Sequence, residues 1–236
     1  MNLFLMMQAA GQAAAEGAEA TEAAGETEKV TIDLIELVIQ GGWIMIPLFL
    51  LSFLTIYIFI ERYLAIKRAS REDKSFMNRI KDYIHDGKID SALTLCQSSD
   101  NPVSRMIEKG ITRIGRPLHD VNTAIENVGN LEVSRLEKGL PLLATVAGGA
   151  PMIGFTGTVI GMIKSFWEMS NAGSNIEVDM LAGGIYTALV TTVTGLIVGV
   201  IAYFAYNWLV AKVEKVVFKM EARTMEFMDL LNEPAT

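Results

Sequence analysis

Cysteine, histidine and, across its long apolar stretches, charge are what this 236-residue sequence has least of. A single cysteine, Cys96, excludes an internal disulfide, and a free thiol in a solvent loop suits a reducing compartment. Histidine occurs only at His85 and His119, neither with an acid, a cysteine or a second histidine at ligand spacing. Both are read as solvent or core histidines, and no metal set is expected. No basic patch with interleaved aromatics occurs, so a nucleic-acid partner has no support. No nucleophile or cofactor constellation is present either, so neither an enzyme nor a cofactor is expected. Gly157, Gly161, Lys164 and Ser165 superficially suggest a phosphate loop, but that motif needs Gly and Lys adjacent, on a loop after a strand.

What is present is apolar. Hydrophobic residues make up 51% of the chain, with a mean hydropathy of +0.34 concentrated in blocks, which indicates an integral membrane protein. The pattern predicts an all-α membrane protein with three transmembrane helices, two of them long and extended into a cytoplasmic helical region.

Residues 1–30 hold an Ala, Gly and Glu tract after a short apolar start, MNLFLMM. A disordered acidic tail is the reading; the start, which lacks a basic n-region, leaves open the remnant of a signal peptide. In residues 31–41, Ile32, Ile35 and Ile39 recur at helical intervals around Asp33 and Glu36. That suits an amphipathic helix lying at a membrane surface, or a lead-in to the next helix.

The first span is expected over 42–66, charge-free from Trp43 to Phe59 and rich in Leu, Ile, Phe and Tyr. Its bulk and lack of internal glycine place it on the outside of an assembly. Arg62, Lys67, Arg68, Arg71 and Lys74 follow, whereas only Lys29 is basic before it. The positive-inside rule then puts the N-terminus outside and the following loop in the cytoplasm.

Residues 67–138 read as a cytoplasmic helical insertion. Phe76, Met77, Ile80 and Ile84 make one apolar face that Gly87 can close, and Asn101-Pro102 is a helix start with an N-cap and Pro at N1. From about residue 119 the pattern stays helical to about 168; Pro141 and Pro151 are the only breakers, and proline is tolerated in a membrane helix when neighbours rescue the freed carbonyls. One helix of that extent would be ~75 Å long, so its first half must project from the membrane.

The second span, 139–166, interrupts its apolar residues with Gly148, Gly149, Gly154, Gly157 and Gly161 and with Thr145, Thr156 and Thr158. A short external loop is expected over 167–179. The third span, 180–210, has the same character, with Thr187, Thr191, Thr192, Thr194, Gly195 and Gly199. Lys212, Lys215, Lys219 and Arg223 follow, and an apolar seam through Val213, Val217 and Met220 carries the helix on through 211–236. Small residues let helix backbones approach closely, so Gly154, Gly157, Gly161, Gly195 and Gly199 are assigned to helix packing. A lone chain would leave the threonine faces in lipid, which predicts a homo-oligomer. Neither span has an Asp, Glu or His in its central portion. Since threonine cannot carry a proton alone, a conducted proton would need a titratable group from another protein.

The strings GFTGTVIGMIKSF and LAGGIYTALVTTVTGLIVGVIAYFAYNWL resemble the second and third membrane helices of the ExbB/TolQ/MotA proton-channel family, and most resemble its ExbB and TolQ branch. The resemblance extends over residues 41 to about 215. It implies a homopentamer of three-span subunits in a bacterial inner membrane, N-terminus periplasmic and C-terminus cytoplasmic. It also implies a single-span partner resembling ExbD or TolR that supplies a membrane Asp, and a TonB-like transducer. The implied function is to couple proton-motive force to energisation of outer-membrane processes, by TonB-dependent import or by a TolQ-like role in envelope maintenance. A non-conducting membrane scaffold is the competing reading. By the family's motif the pore-lining threonines fall on Thr158 and Thr192. Thr187 stands where the family often has Glu, as a possible hydroxyl relay, and Lys164 lies at the pore mouth.

Overall fold

In a lipid solvent a backbone satisfies its hydrogen bonds only within helices or closed barrels, and every regular element among the described residues is a helix. The computed structural model describes residues 41–71, 75–172 and 178–232. The acidic tail and interfacial helix expected over 1–41 lie outside them, apart from Gly41, as does the middle of the 167–179 connection.

After one 3-10 turn, Gly42–Ile44, the first long helix is α1, Met45–Ala69. Four shorter helices follow: α2 (Phe76–His85), α3 (Ile89–Ser98), α4 (Pro102–Ile111) and α5 (Leu118–Glu137). Two long ones complete the chain, α6 (Leu140–Asn171) and α7 (Val178–Asn232). Three stretches, within Gly42–Ala69, Leu118–Asn171 and Leu181–Asn232, are long and apolar enough to cross a membrane. The 55 residues of α7 amount to roughly 80 Å at 1.5 Å per residue, so it outruns a ~30 Å hydrocarbon core by far.

The single helix expected from about 119 to 168 is broken in two. Lys138 is extended (φ −51°, ψ 126°) and Gly139 is left-handed (φ 85°). Pro141 explains the position of the break. It has no N–H to give the carbonyl four residues back, and its ring would strike that carbonyl. The carbonyl belongs to Glu137, the last residue of α5. Gly139 then takes the positive φ that the turn demands, and Pro141 sits in the first turn of α6, where no donor is missed. Pro151 lies inside α6 without ending it.

Away from the spans, α2 to α5 and the lower part of α7 enclose one apolar core. Phe76, Ile80, Ile107, Ile125 and Phe227 are among its fully buried side chains. The Asn101 cap forms as the spacing suggests: Oδ1 accepts from the Ser104 N–H at 2.7 Å, and Pro102 occupies the first turn. Gly87 has φ 68° just beyond α2. Cys96 is not in a solvent loop. Positions 92 and 96 form one face of α3, and Cys96 is 1% exposed in the core. Burial pushes its thiol up to about 12.

Candidate functional site

The second and third membrane helices meet along a ladder of residues with almost no side chain. On α6 it comprises Ala150, Gly154, Gly157, Gly161 and Ser165, all buried. On α7 it comprises Gly184, Ala188, Thr191, Gly195 and Gly199. A Cβ on Gly154 would sit 2.8 Å from the Thr191 carbonyl oxygen, and one on Gly195 would sit 2.7 Å from that of Ala150. One on Gly157 would lie 2.7 Å from the Thr191 Cβ, and one on Gly161 would lie 3.0 Å from the Gly184 oxygen. Gly184 faces Ser165 too closely to accept any side chain. At Gly199 a Cβ would meet the Pro151 ring at 2.6 Å and the Ala147 carbonyl, the one Pro151 cannot engage, at 3.1 Å. By contrast Gly148, Gly149 and Gly183 have nothing within 4 Å of an added Cβ. The five glycines assigned to packing from the sequence therefore all lie on this one seam, within a single chain.

The hydroxyls are placed less uniformly. Thr191 is fully buried in the seam and donates to the Ala188 carbonyl at 2.9 Å. The expectation that a lone chain leaves its threonine faces in lipid thus fails for Thr191. Thr192, half-buried, crosses between helices: its Oγ1 donates to the Gly154 carbonyl of α6 at 3.2 Å. Thr158, one residue past the seam glycine Gly157, donates to Phe155 O at 2.6 Å within its own helix. Together with Val159, Met162, Ile163, Phe166 and Trp167 it lines an open cavity of about 590 Å³ on the outer face of α6. Thr187 donates to Gly183 O at 3.0 Å. A threonine whose proton is engaged by a helix carbonyl keeps its oxygen lone pairs as acceptors, so these side chains can receive a hydrogen bond from a protonated carboxyl.

Lys164 is exposed, with Glu168 one turn further along α6 at 3.8 Å. An exposed pair of that kind contributes little energy. Among the described residues no group of three His, Cys, Asp or Glu side chains could hold a metal ion. His85 and His119 are both exposed.

Two polar clusters join separate helices. Arg62, buried within α1 before its last two turns, pairs with Glu61 and donates through Nη1 to the Arg135 carbonyl at 3.1 Å, which ties α1 to α5 just before the break at Gly139. Glu132, 3% exposed, accepts from Arg105 and Arg135 at 2.6 Å each. The Glu132 carboxylate in turn holds Arg105 above its ordinary range. The Glu61–Arg62 adjacency is legible as an ion pair at the end of the first span, but no spacing signals its tie to α5 or the Arg105–Glu132 contact, since each joins separate helices.

Residues 98–222 match the sequence model of the MotA/TolQ/ExbB proton channel family. That stretch takes in α4, α5, α6 and most of α7, and so includes the whole seam. A protein of Methanothermobacter thermautotrophicus named as an ExbB homolog is 30% identical over 192 residues, covering 80% of this chain and 67% of that one. The Tol-Pal system protein TolQ of Haemophilus influenzae is 40% identical over 87 residues, 37% of this chain and 38% of its own. The biopolymer transport protein ExbB of Aquifex aeolicus is 36% identical over 112 residues, 46% of this chain and 74% of its own.

Proposed function

The chain belongs to the MotA/TolQ/ExbB proton channel family, and on that premise we propose that it is the three-span subunit of an inner-membrane complex in which proton-motive force energises an outer-membrane process. The observation that carries this reading is a wall of hydroxyls without a carboxylate. Thr158, Thr187 and Thr192 flank the α6–α7 seam, and neither helix has an acid in its central membrane portion. Such a wall can accept hydrogen bonds from a protonated carboxyl but cannot itself bind and release the proton. The group that does so comes from an ExbD- or TolR-like single-span partner carrying a membrane Asp, enclosed by a ring of this chain.

In this reading Thr158 and Thr192 face the partner's carboxyl, Thr187 relays, and Lys164 with its Glu168 neighbour lies at the external mouth. The basic residues after α1 and along lower α7 support a cytoplasmic C-terminus and a periplasmic N-terminus by the positive-inside rule. Import through a TonB-like transducer is the favoured output. A TolQ-like envelope role uses the same membrane machinery, and a TolQ relative matches at 40% identity.

The Thr192–Gly154 bond favours a second reading, in which the seam is a non-conducting scaffold and its threonines only lock the helices. Serine and valine separate the two. Thr158→Val and Thr192→Val are expected to abolish proton-driven uptake with assembly and partner co-purification intact, and Thr192→Ser is expected to retain it. Wild-type uptake in both valine variants would sink the channel roles. Loss of assembly in Thr192→Val, with uptake following assembled protein, would support the scaffold.

A further inference from the structure

The surface between α1 and the middle of α7 changes character within two helical turns. Ile56, Phe59, Val200, Ile201, Phe204 and Trp208 line an apolar crevice of about 580 Å³. One turn further along both helices, Tyr63 and Leu209 help to line a second cavity of about 380 Å³, which carries Lys67, Arg71, Lys212, Lys215 and Lys219 and, among the described residues, no acid. Three rings join the two spaces: Phe59 and Tyr63 each approach Trp208, with centroids 5.7 and 5.5 Å away. Lys67 lies 5.7 Å from the Tyr63 centroid, and Lys212 lies 5.1 Å from that of Trp208.

This arrangement is not a generic charged surface. Along α7 the bases recur at 212, 215 and 219 on the face toward α1, whereas Glu214 and Glu221 line a different cavity with Glu137. Among the described residues none of the five bases is held in an ion pair. Five like charges around one concavity repel one another, and an anionic group bound there relieves the repulsion. The aromatic cluster marks the depth at which amphipathic rings settle at a headgroup boundary.

We propose that the α1–α7 cleft binds an acidic phospholipid, its phosphate headgroup among Lys67, Arg71, Lys212, Lys215 and Lys219 and one acyl chain in the crevice beside Phe204 and Trp208. A basic pocket between membrane helices, backed by an apolar groove in register with it, complements both halves of such a molecule. The inference requires only that the chain spans a membrane and does not depend on the roles given to the threonines.

Trp208 supplies the readout. Full-length protein carrying Trp43→Phe and Trp167→Phe keeps it as the sole tryptophan. In phosphatidylcholine vesicles doped with brominated phosphatidylglycerol or with brominated phosphatidylcholine, Trp208 quenching should show at least about fivefold preference for the anionic lipid, the effect of a single base worth ~1 kcal/mol near an anionic surface. Lys212→Gln/Lys215→Gln/Lys219→Gln should erase the preference, and the corresponding triple arginine variant should retain it. Lys109→Gln/Arg113→Gln/Arg116→Gln removes the same charge elsewhere and should leave it unchanged. Equal quenching by the two lipids in the parent, or a preference that survives the first glutamine triple, overturns the proposal. So does an equal loss in the second triple, which would indicate diffuse attraction. Competition by inorganic phosphate at matched ionic strength would make this a free-phosphate site and also overturn it.

Discussion

The membrane half of this chain and the half built from α2 to α5 with lower α7 are held together by opposite devices, although α7 runs through both. In the core outside the spans large side chains interdigitate: Phe227 packs where Gly110 and Ile125 leave room, and a Cβ on Gly110 would meet its ring at 2.6 Å. In the membrane half, α6 and α7 meet backbone against backbone, and the large residues, Phe155, Ile163, Phe166, Leu196 and Phe204 among them, point outward. The solvents explain the difference. Water drives apolar side chains together, whereas lipid is as apolar as leucine, so helices in it gain from close van der Waals approach and from small residues that permit it.

The comparison breaks most sharply at the seam. Gly195→Leu, or Gly154→Leu, should force the helices apart against carbonyl oxygens that cannot move away, with folded protein lost from the membrane fraction. Gly148→Ala and Gly149→Ala, facing open space, should leave the yield unchanged and raise helix stability by up to ~1 kcal/mol. Normal yield and melting temperature for the leucine variants would show that close approach does not organise this half.

In the half outside the spans, Phe227→Ala should cost about 3–5 kcal/mol. Hydrogen exchange should speed up in α2 to α5 while the α6–α7 amides keep their protection. Spread of the effect to the seam would mean that the halves do not unfold separately. A smaller loss, about 3 kcal/mol, is expected for Glu132→Ala, which leaves Arg105 and Arg135 without their buried partner. Denaturant titration should find the Glu132→Gln variant closer to the parent.

The smallest effect at neutral pH concerns Cys96. Its folded thiol value, about 12, lies above the ordinary value of 9.0, so the stability it contributes is complete below pH 9 and declines as pH rises toward 12. At pH 8 it should resist alkylation until helices α2 to α5 unfold. Rapid labelling of native protein, followed by mass spectrometry, would contradict its burial.

Much of this was legible in the residues themselves. The three spans, the Asn101-Pro102 helix start and the five seam glycines all follow from short-range spacing, because a helix places positions three and four apart on one face. The break at Gly139 was missed because Pro141 read as a tolerated membrane proline; what mattered was the carbonyl four residues earlier. Cys96 was misplaced because its burial depends on the other helices that close over α3, and the Glu132 cluster because its partners lie on two helices.

The amino-acid sequence by itself determined that this is a three-span helical membrane protein of the MotA/TolQ/ExbB kind, whose second and third spans carry small residues and hydroxyls but no central acid. Periodicity, hydropathy and motif are local properties, and they suffice for that. Only the tertiary structure decided which hydroxyls the seam takes. Thr191 is buried against Gly157, Thr192 crosses to Gly154, and Thr158 and Thr187 bond within their own helices. Neighbouring threonines on one helix are chemically equivalent until a second backbone comes within reach, and its approach is set by the glycines of the other helix.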